Sequence, residues 1–189
     1  MNSKTKTLVG IGLFTAIVFV LQFLSMFTRF ATFSLTFVLV PIVVGAAMYG
    51  WKAGAWLGFV FGVAVLATGD AALFLAVNPL ATVLVVLIKG TACGLVAGLI
   101  YKSFESKNKN LAVVVAAISA PVVNTGIFLI GCRLFFYETV SGWGVAAGFD
   151  NAAAYMFIGL AGINFIIELA INIILAPTIS RLIKIGKKS

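Results

Sequence analysis

The chain has 189 residues, with no histidine, 13 lysines and arginines against 5 carboxylates, and 62% hydrophobic residues; its mean hydropathy is +1.19. This composition excludes a soluble globular protein and a zinc or histidine-based catalytic centre, and the length corresponds to a single integral-membrane domain over residues 1–189. The net charge of +8 does not point to nucleic acid, because the bases stand at the ends of apolar segments, where they set membrane topology.

Six apolar runs are long enough to read as membrane helices. Lys4 and Lys6 precede the first, Leu8–Phe27. The residues after it, Thr28-Arg29-Phe30-Ala31, form a poor cleavage site, so the segment reads as a retained helix rather than a signal peptide. The second run, Leu35–Tyr49, is short and contains Pro41, which predicts a kink or an extended stretch before the helix. A tight turn at Gly50-Trp51-Lys52 leads to the third run, Ala53–Thr68, where Gly50, Gly54, Gly58 and Gly62 recur every four residues. The link Asp70–Leu80 is semi-polar and holds Asn78-Pro79. The fourth run, Ala81–Tyr101, repeats the small-residue spacing with Gly90, Gly94 and Gly98 and carries Lys89 in its interior. Small residues at this spacing let helix backbones approach closely in lipid, against the same chain or another protein. Ser103–Asn110 is a solvated loop before the fifth run, Leu111–Phe136. Tyr137–Ala154, with Trp143, Gly144, Gly148, Phe149 and Asp150, reads as a long aromatic loop, either a lid or part of an interfacial belt. The sixth run, Tyr155–Ile183, carries Asn164, Glu168 and Asn172.

Charge placement supports the count. With both termini in the cytoplasm, the inner segments hold ten of the thirteen bases, Arg29 and Arg133 are outside, and Lys89 is left within the membrane. The expected architecture is therefore an all-α, multi-pass protein of the plasma membrane, in contact with lipid. Cys93 and Cys132 lie in apolar surroundings and read as small hydrophobic fillers.

The chemistry gathers in the later spans. A charge at the middle of a membrane helix costs roughly 2.5–3.5 kcal/mol on insertion, so it faces protein or a cavity. Lys89 and Glu168 are such charges, and two readings stand open: a buried ion-pair brace, or a ligand site. Asn164, Glu168 and Asn172 share one helical face. Asn124 and Thr125 follow Pro121 in the fifth span, and with Lys89 these groups predict a polar cavity between the last three helices. Asn78 is a further hydrogen-bonding candidate, and Trp143, Phe149 and Tyr155 are lid or stacking candidates. A cation suits a carboxylate such as that of pantothenate, and aromatic rings suit a flat molecule such as riboflavin. No nucleophile elbow, Walker A loop or metal-ligand cluster occurs, so no enzymatic activity, cofactor or metal is expected on this chain.

Three segments carry a family resemblance: Val40-Pro41-Ile42-Val43-Val44-Gly45 through Gly50-x-Lys52-Ala53-Gly54; Lys89-Gly90-x-x-x-Gly94 through Lys102; and the Asn-x-x-x-Glu-x-x-x-Asn stripe. With six short helices, the chain resembles the S components of energy-coupling factor transporters. The resemblance implies a subunit that binds a vitamin or related micronutrient from outside and docks on a transmembrane T subunit with two ATPases, which supply the ATP hydrolysis. It implies a site near the outer face between the last three helices. It also implies a docking surface on the first three, making Gly12, Ala16, Gly50, Gly54 and Gly58 docking candidates. The family's Ala-x-x-x-Ala motif in the first span is here Gly12-x-x-x-Ala16. Two other functions remain: a structural subunit braced by Lys89 and Glu168, and a standalone proton-coupled carrier using Glu168, which the lack of an inverted repeat disfavours.

Overall fold

The computed structural model describes residues 3–30, 33–34 and 37–186. Leu35, the expected start of the second span, and the basic Lys187 and Lys188 lie outside the described residues. Helix α1 spans Ser3–Ser25 and ends in a 3-10 turn, Met26–Thr28. A two-residue antiparallel ladder follows, with Arg29 opposite Ser34 and Phe30 opposite Phe33 (β1, Arg29–Phe30; β2, Phe33–Ser34). Then come α2 (Leu39–Tyr49), α3 (Trp51–Ala67), α4 (Ala72–Val77), α5 (Pro79–Phe104), α6 (Lys109–Phe135), α7 (Tyr137–Ala146) and α8 (Ala152–Ala154). A π-helical segment, Tyr155–Gly162, runs into α9 (Ile163–Gly186). Among the described residues, four continuous apolar helices have membrane-spanning length: Lys4–Ser25, Pro79–Phe104, Lys109–Phe135 and Ala152–Ile185. Apart from that short ladder the described chain is a helical membrane protein, in which α2 and α3 are shorter apolar helices.

Helix α2 is apolar on every side and is buried accordingly, from Pro41 through Ala47. It packs against α1, α3, α5, α6 and α9 and forms the centre of the main core. Pro41 does not interrupt it. The helix begins two residues earlier, so the proline sits in the first turn, where a missing N–H leaves no intrahelical bond unmade. Gly50 makes the corner to α3 with φ of 92°, a conformation that strains any residue with a Cβ, and its N–H closes on the Ala46 carbonyl at 2.9 Å.

The two glycine ladders meet each other. Gly54 stands against the Gly94 backbone, Gly58 against Gly90, and Gly62 against Val86 and Leu87, so α3 and α5 touch backbone to backbone. Gly98 gives the same clearance to Trp51.

Two of the connecting segments contain more regular structure than the sequence suggests. The Gly69–Leu80 link contains α4. The stretch read as an aromatic loop, Tyr137–Ala154, is mostly α7, held by the buried Val140 and Gly144 and followed by a turn at Gly148 with φ of 80°. A satellite core forms there around Ala81, Cys132, Phe136, Val140 and Met156, with Phe74, Phe128, Trp143 and Tyr155 packed on it.

Candidate functional site

A cavity of about 410 Å³ draws its wall from both cores. Phe61, Val65 and Val86 come from the main core, and Phe74, Phe128, Cys132 and Phe136 from the satellite. Helix α5 contributes Thr82 and Lys89, α6 contributes Asn124 and Thr125, and α9 contributes Asn164 and Glu168, one turn apart on the same face. The π-helical segment brings Leu160 and Ala161 to the wall just before them. Of the six polar groups expected at a common site, Lys89, Asn124, Thr125, Asn164 and Glu168 line one cavity, and Asn172 does not.

The cavity also reaches beyond the last three helices. Gln22 of α1 and Asp70, at the junction between α3 and α4, belong to its wall. Gln22 is fully buried; its Nε2 donates to the Thr68 hydroxyl at 3.3 Å and to the Asp70 carboxylate. A single amide in an otherwise apolar span was the sequence signal for Gln22. Asp70, in a semi-polar link, resembles an ordinary solvated carboxylate, and Phe61, Phe74, Phe128 and Phe136 are anonymous among 17 phenylalanines.

Charge is concentrated in this space. Lys89 is within the electrostatic reach of both Glu168 and Asp70. Its Nζ lies 5.5 Å over the Phe128 ring, a placement that the ring quadrupole favours. Glu168 is only 9% exposed. Asn172 is directed elsewhere: its Nδ2 donates to the Glu168 backbone carbonyl at 2.8 Å, within the same helix.

The remaining candidates stand outside the cavity wall. Asn78 is exposed and caps α5, accepting from the Ala81 N–H at 3.1 Å, with Pro79 in the first helical position. Trp143 stands behind the wall, edge-on to Phe74 at 5.4 Å; Phe74 also meets Phe128 at 5.6 Å and Phe136 at 5.1 Å. Phe149 packs edge-on to Tyr155 at 5.3 Å, and the Tyr155 ring covers Gly144 and Gly159. These three aromatics support the wall from outside it. Among the docking candidates, Gly54 and Gly58 are buried in the α3–α5 seam, because the ladder they belong to is satisfied within the chain. Gly12, Ala16 and Gly50 are exposed.

Searches among curated proteins and among solved structures give no match. A family model described as "ECF transporter, substrate-specific component" matches residues 6–180.

Proposed function

The chain belongs to the family of ECF transporter substrate-specific components, and from that premise we propose that it captures a vitamin or related micronutrient from outside in the cavity around Lys89 and Glu168. The observation that carries this reading is a cavity of about 410 Å³, within the range of small-molecule sites, holding buried charge and amides in a mainly aromatic and aliphatic wall. Lys89 offers three donors, Glu168 accepts, and Asn124 and Asn164 do both, so orientation comes from these groups and affinity from the phenyl surfaces. Phe74 on α4, backed by Trp143, closes one side and α4 acts as a lid. The chain carries out no covalent chemistry. ATP hydrolysis resides in two partner ATPases that act through a T subunit, which docks on the exposed Gly12–Ala16 face of α1 and the Gly50 corner.

In this reading the chain crosses the membrane six times with both termini in the cytoplasm. Asp70, α4 and α7 then lie on the outer side. Lys89 is ten residues into α5, roughly 15 Å below its outer end, a depth a ligand entering from outside can reach.

Mass spectrometry of small molecules released from the purified, denatured protein tests the proposal. A vitamin-like molecule is expected at near one per chain. Lys89→Ala is expected to lower its retention at least about tenfold, the loss of one charge-assisted hydrogen bond, with an unchanged elution profile. Proton-driven uptake by this chain alone in liposomes would overturn the proposal.

A further inference from the structure

Gln22 satisfies only one end of its amide. Helix α1 turns most of its large side chains outward, and its buried face is Val18, Gln22 and Ser25. Gln22 Nε2 donates to two acceptors: the Asp70 carboxylate, and the Thr68 hydroxyl, which itself donates to the Val65 carbonyl at 3.3 Å. An amide turned the other way would set its oxygen against the carboxylate, so these contacts fix its orientation. Gln22 Oε1 is then buried, with no hydrogen-bond partner among the described residues. In α6, Asn124 Oδ1 is in the same state, and both residues belong to the cavity wall. Asn172 Oδ1 shares that state outside the wall, so it is their place in the wall that gives the other two their meaning. A buried acceptor without a donor is a cost that an apolar side chain at position 22 would not carry. No described residue of the wall supplies a hydrogen to either oxygen, so the hydrogens arrive with an occupant.

We propose that Gln22 is a specificity-determining residue of the cavity: its Oε1 accepts a hydrogen bond from an N–H or O–H group of the substrate, and Asn124 Oδ1 takes a second. The substrate thus presents donors toward α1 and α6 and an acceptor to Lys89 on α5. This inference rests on the assignment of the cavity as the ligand site, and it extends that site to α1. Thr68 and Asp70 act through Gln22 Nε2 as positioning residues. A substrate analogue with a methyl in place of the donor hydrogen leaves the Gln22 oxygen buried and unpaired, and a site of this kind rejects it.

Wild-type, Gln22→Met and Thr68→Val proteins purified from one medium test this, with the small molecule that each retains quantified by mass spectrometry after denaturation. Gln22→Met keeps an unbranched side chain and removes the strong acceptor. Thr68→Val removes one bond of the same amide but leaves its Oε1 in place, and Thr68 is not part of the wall. Support is a retained molecule bearing an N–H or O–H group, with retention falling at least about tenfold in Gln22→Met and less than about threefold in Thr68→Val. A merely structural tie between α1 and the α3–α4 junction would make retention fall alike in the two variants. That result, a smaller fall in Gln22→Met, or a retained molecule with no such group overturns the inference while leaving the cavity a ligand site. If wild-type protein retains nothing, or either variant does not fold as judged by gel filtration, wild-type protein is titrated with two probes. Lumiflavin is a neutral flat ring with one N–H, and 3-methyllumiflavin has a methyl in place of that hydrogen. Lumiflavin binding at least about tenfold tighter supports the inference, and a smaller difference or no binding by either overturns it. No retained molecule together with no binding by either probe overturns the ligand site as well.

Discussion

Lys89 and Glu168 bring opposite charges into a cavity whose other walls are largely phenyl and aliphatic, and their roles separate by experiment. Removing one member of a buried pair strands the other charge, at roughly 3–5 kcal/mol, whereas removing both is close to neutral. Lys89→Met and Glu168→Gln are each expected to lower the thermal midpoint, and the double variant to recover most of that loss. If the pair orients a ligand, retention of the co-purified molecule stays abolished in the double variant. Recovery of both stability and retention would make the pair a brace. These two residues, with Asn124 and Asn164, were legible in the sequence because a charge or amide inside an apolar run has few places to go. Gln22 offered the same local signal and was passed over, whereas Asp70 was not legible, because its place in the wall depends on two elements 48 positions apart meeting, which no local pattern reports.

The glycine ladders show how one sequence pattern divides into two roles. A methyl at Gly58 would collide with the backbone of Gly90, which has no side chain to move aside, whereas nothing lies within 4 Å of the position a Cβ would take at Gly12. Helix propensity favours alanine over glycine by about 0.8–1 kcal/mol at either place. At Gly12 that gain stands alone. At Gly58 it competes with overpacking of about 1–3 kcal/mol, which rises when the obstacle is backbone. Gly58→Ala is therefore expected to lower the thermal midpoint and Gly12→Ala to raise it slightly. Gly12→Leu is expected to leave the chain folded but reduce its co-purification with the T subunit, a pull-down measurement. Asn78→Ala removes the cap of α5 and should cost about 1 kcal/mol of stability with ligand retention unchanged. Among the described residues, the four long and two shorter apolar helices follow from runs of apolar residues. Helix α7 was hidden because Gly142, Gly144 and the polar Glu138 and Ser141 read as loop. Its order comes from Val140, Trp143 and Tyr155 packing into the satellite core, a tertiary contribution that overrides weak local propensity.

At the scale of the whole molecule, charge along the chain and helix length must agree on one path through the bilayer. An 11-residue helix is about 16 Å long, roughly half the hydrocarbon thickness, so α2 does not cross alone. The proposed topology nevertheless puts a crossing there, with Arg29 before α2 on the outer side and Lys52 after it on the inner side. Burial resolves the conflict: α2 is surrounded by five other helices, and irregular backbone at membrane depth is tolerated where protein covers it. The proposed six crossings then put Lys102, Lys107 and Lys109 inside and the α7–α8 turn outside. Single cysteines test this path, because native Cys93 and Cys132 are both buried and give little background. Asp150→Cys and Lys107→Cys occupy exposed positions in the two connecting segments. A membrane-impermeant maleimide on intact cells is expected to label Asp150→Cys and to reach Lys107→Cys only after permeabilisation. The opposite pattern would invert the molecule and place the cavity mouth at Asp70 and α4 on the cytoplasmic side. Labelling of both sites on intact cells would mean an even number of crossings between them, leaving the basic α5–α6 loop outside against the charge bias on which the topology rests.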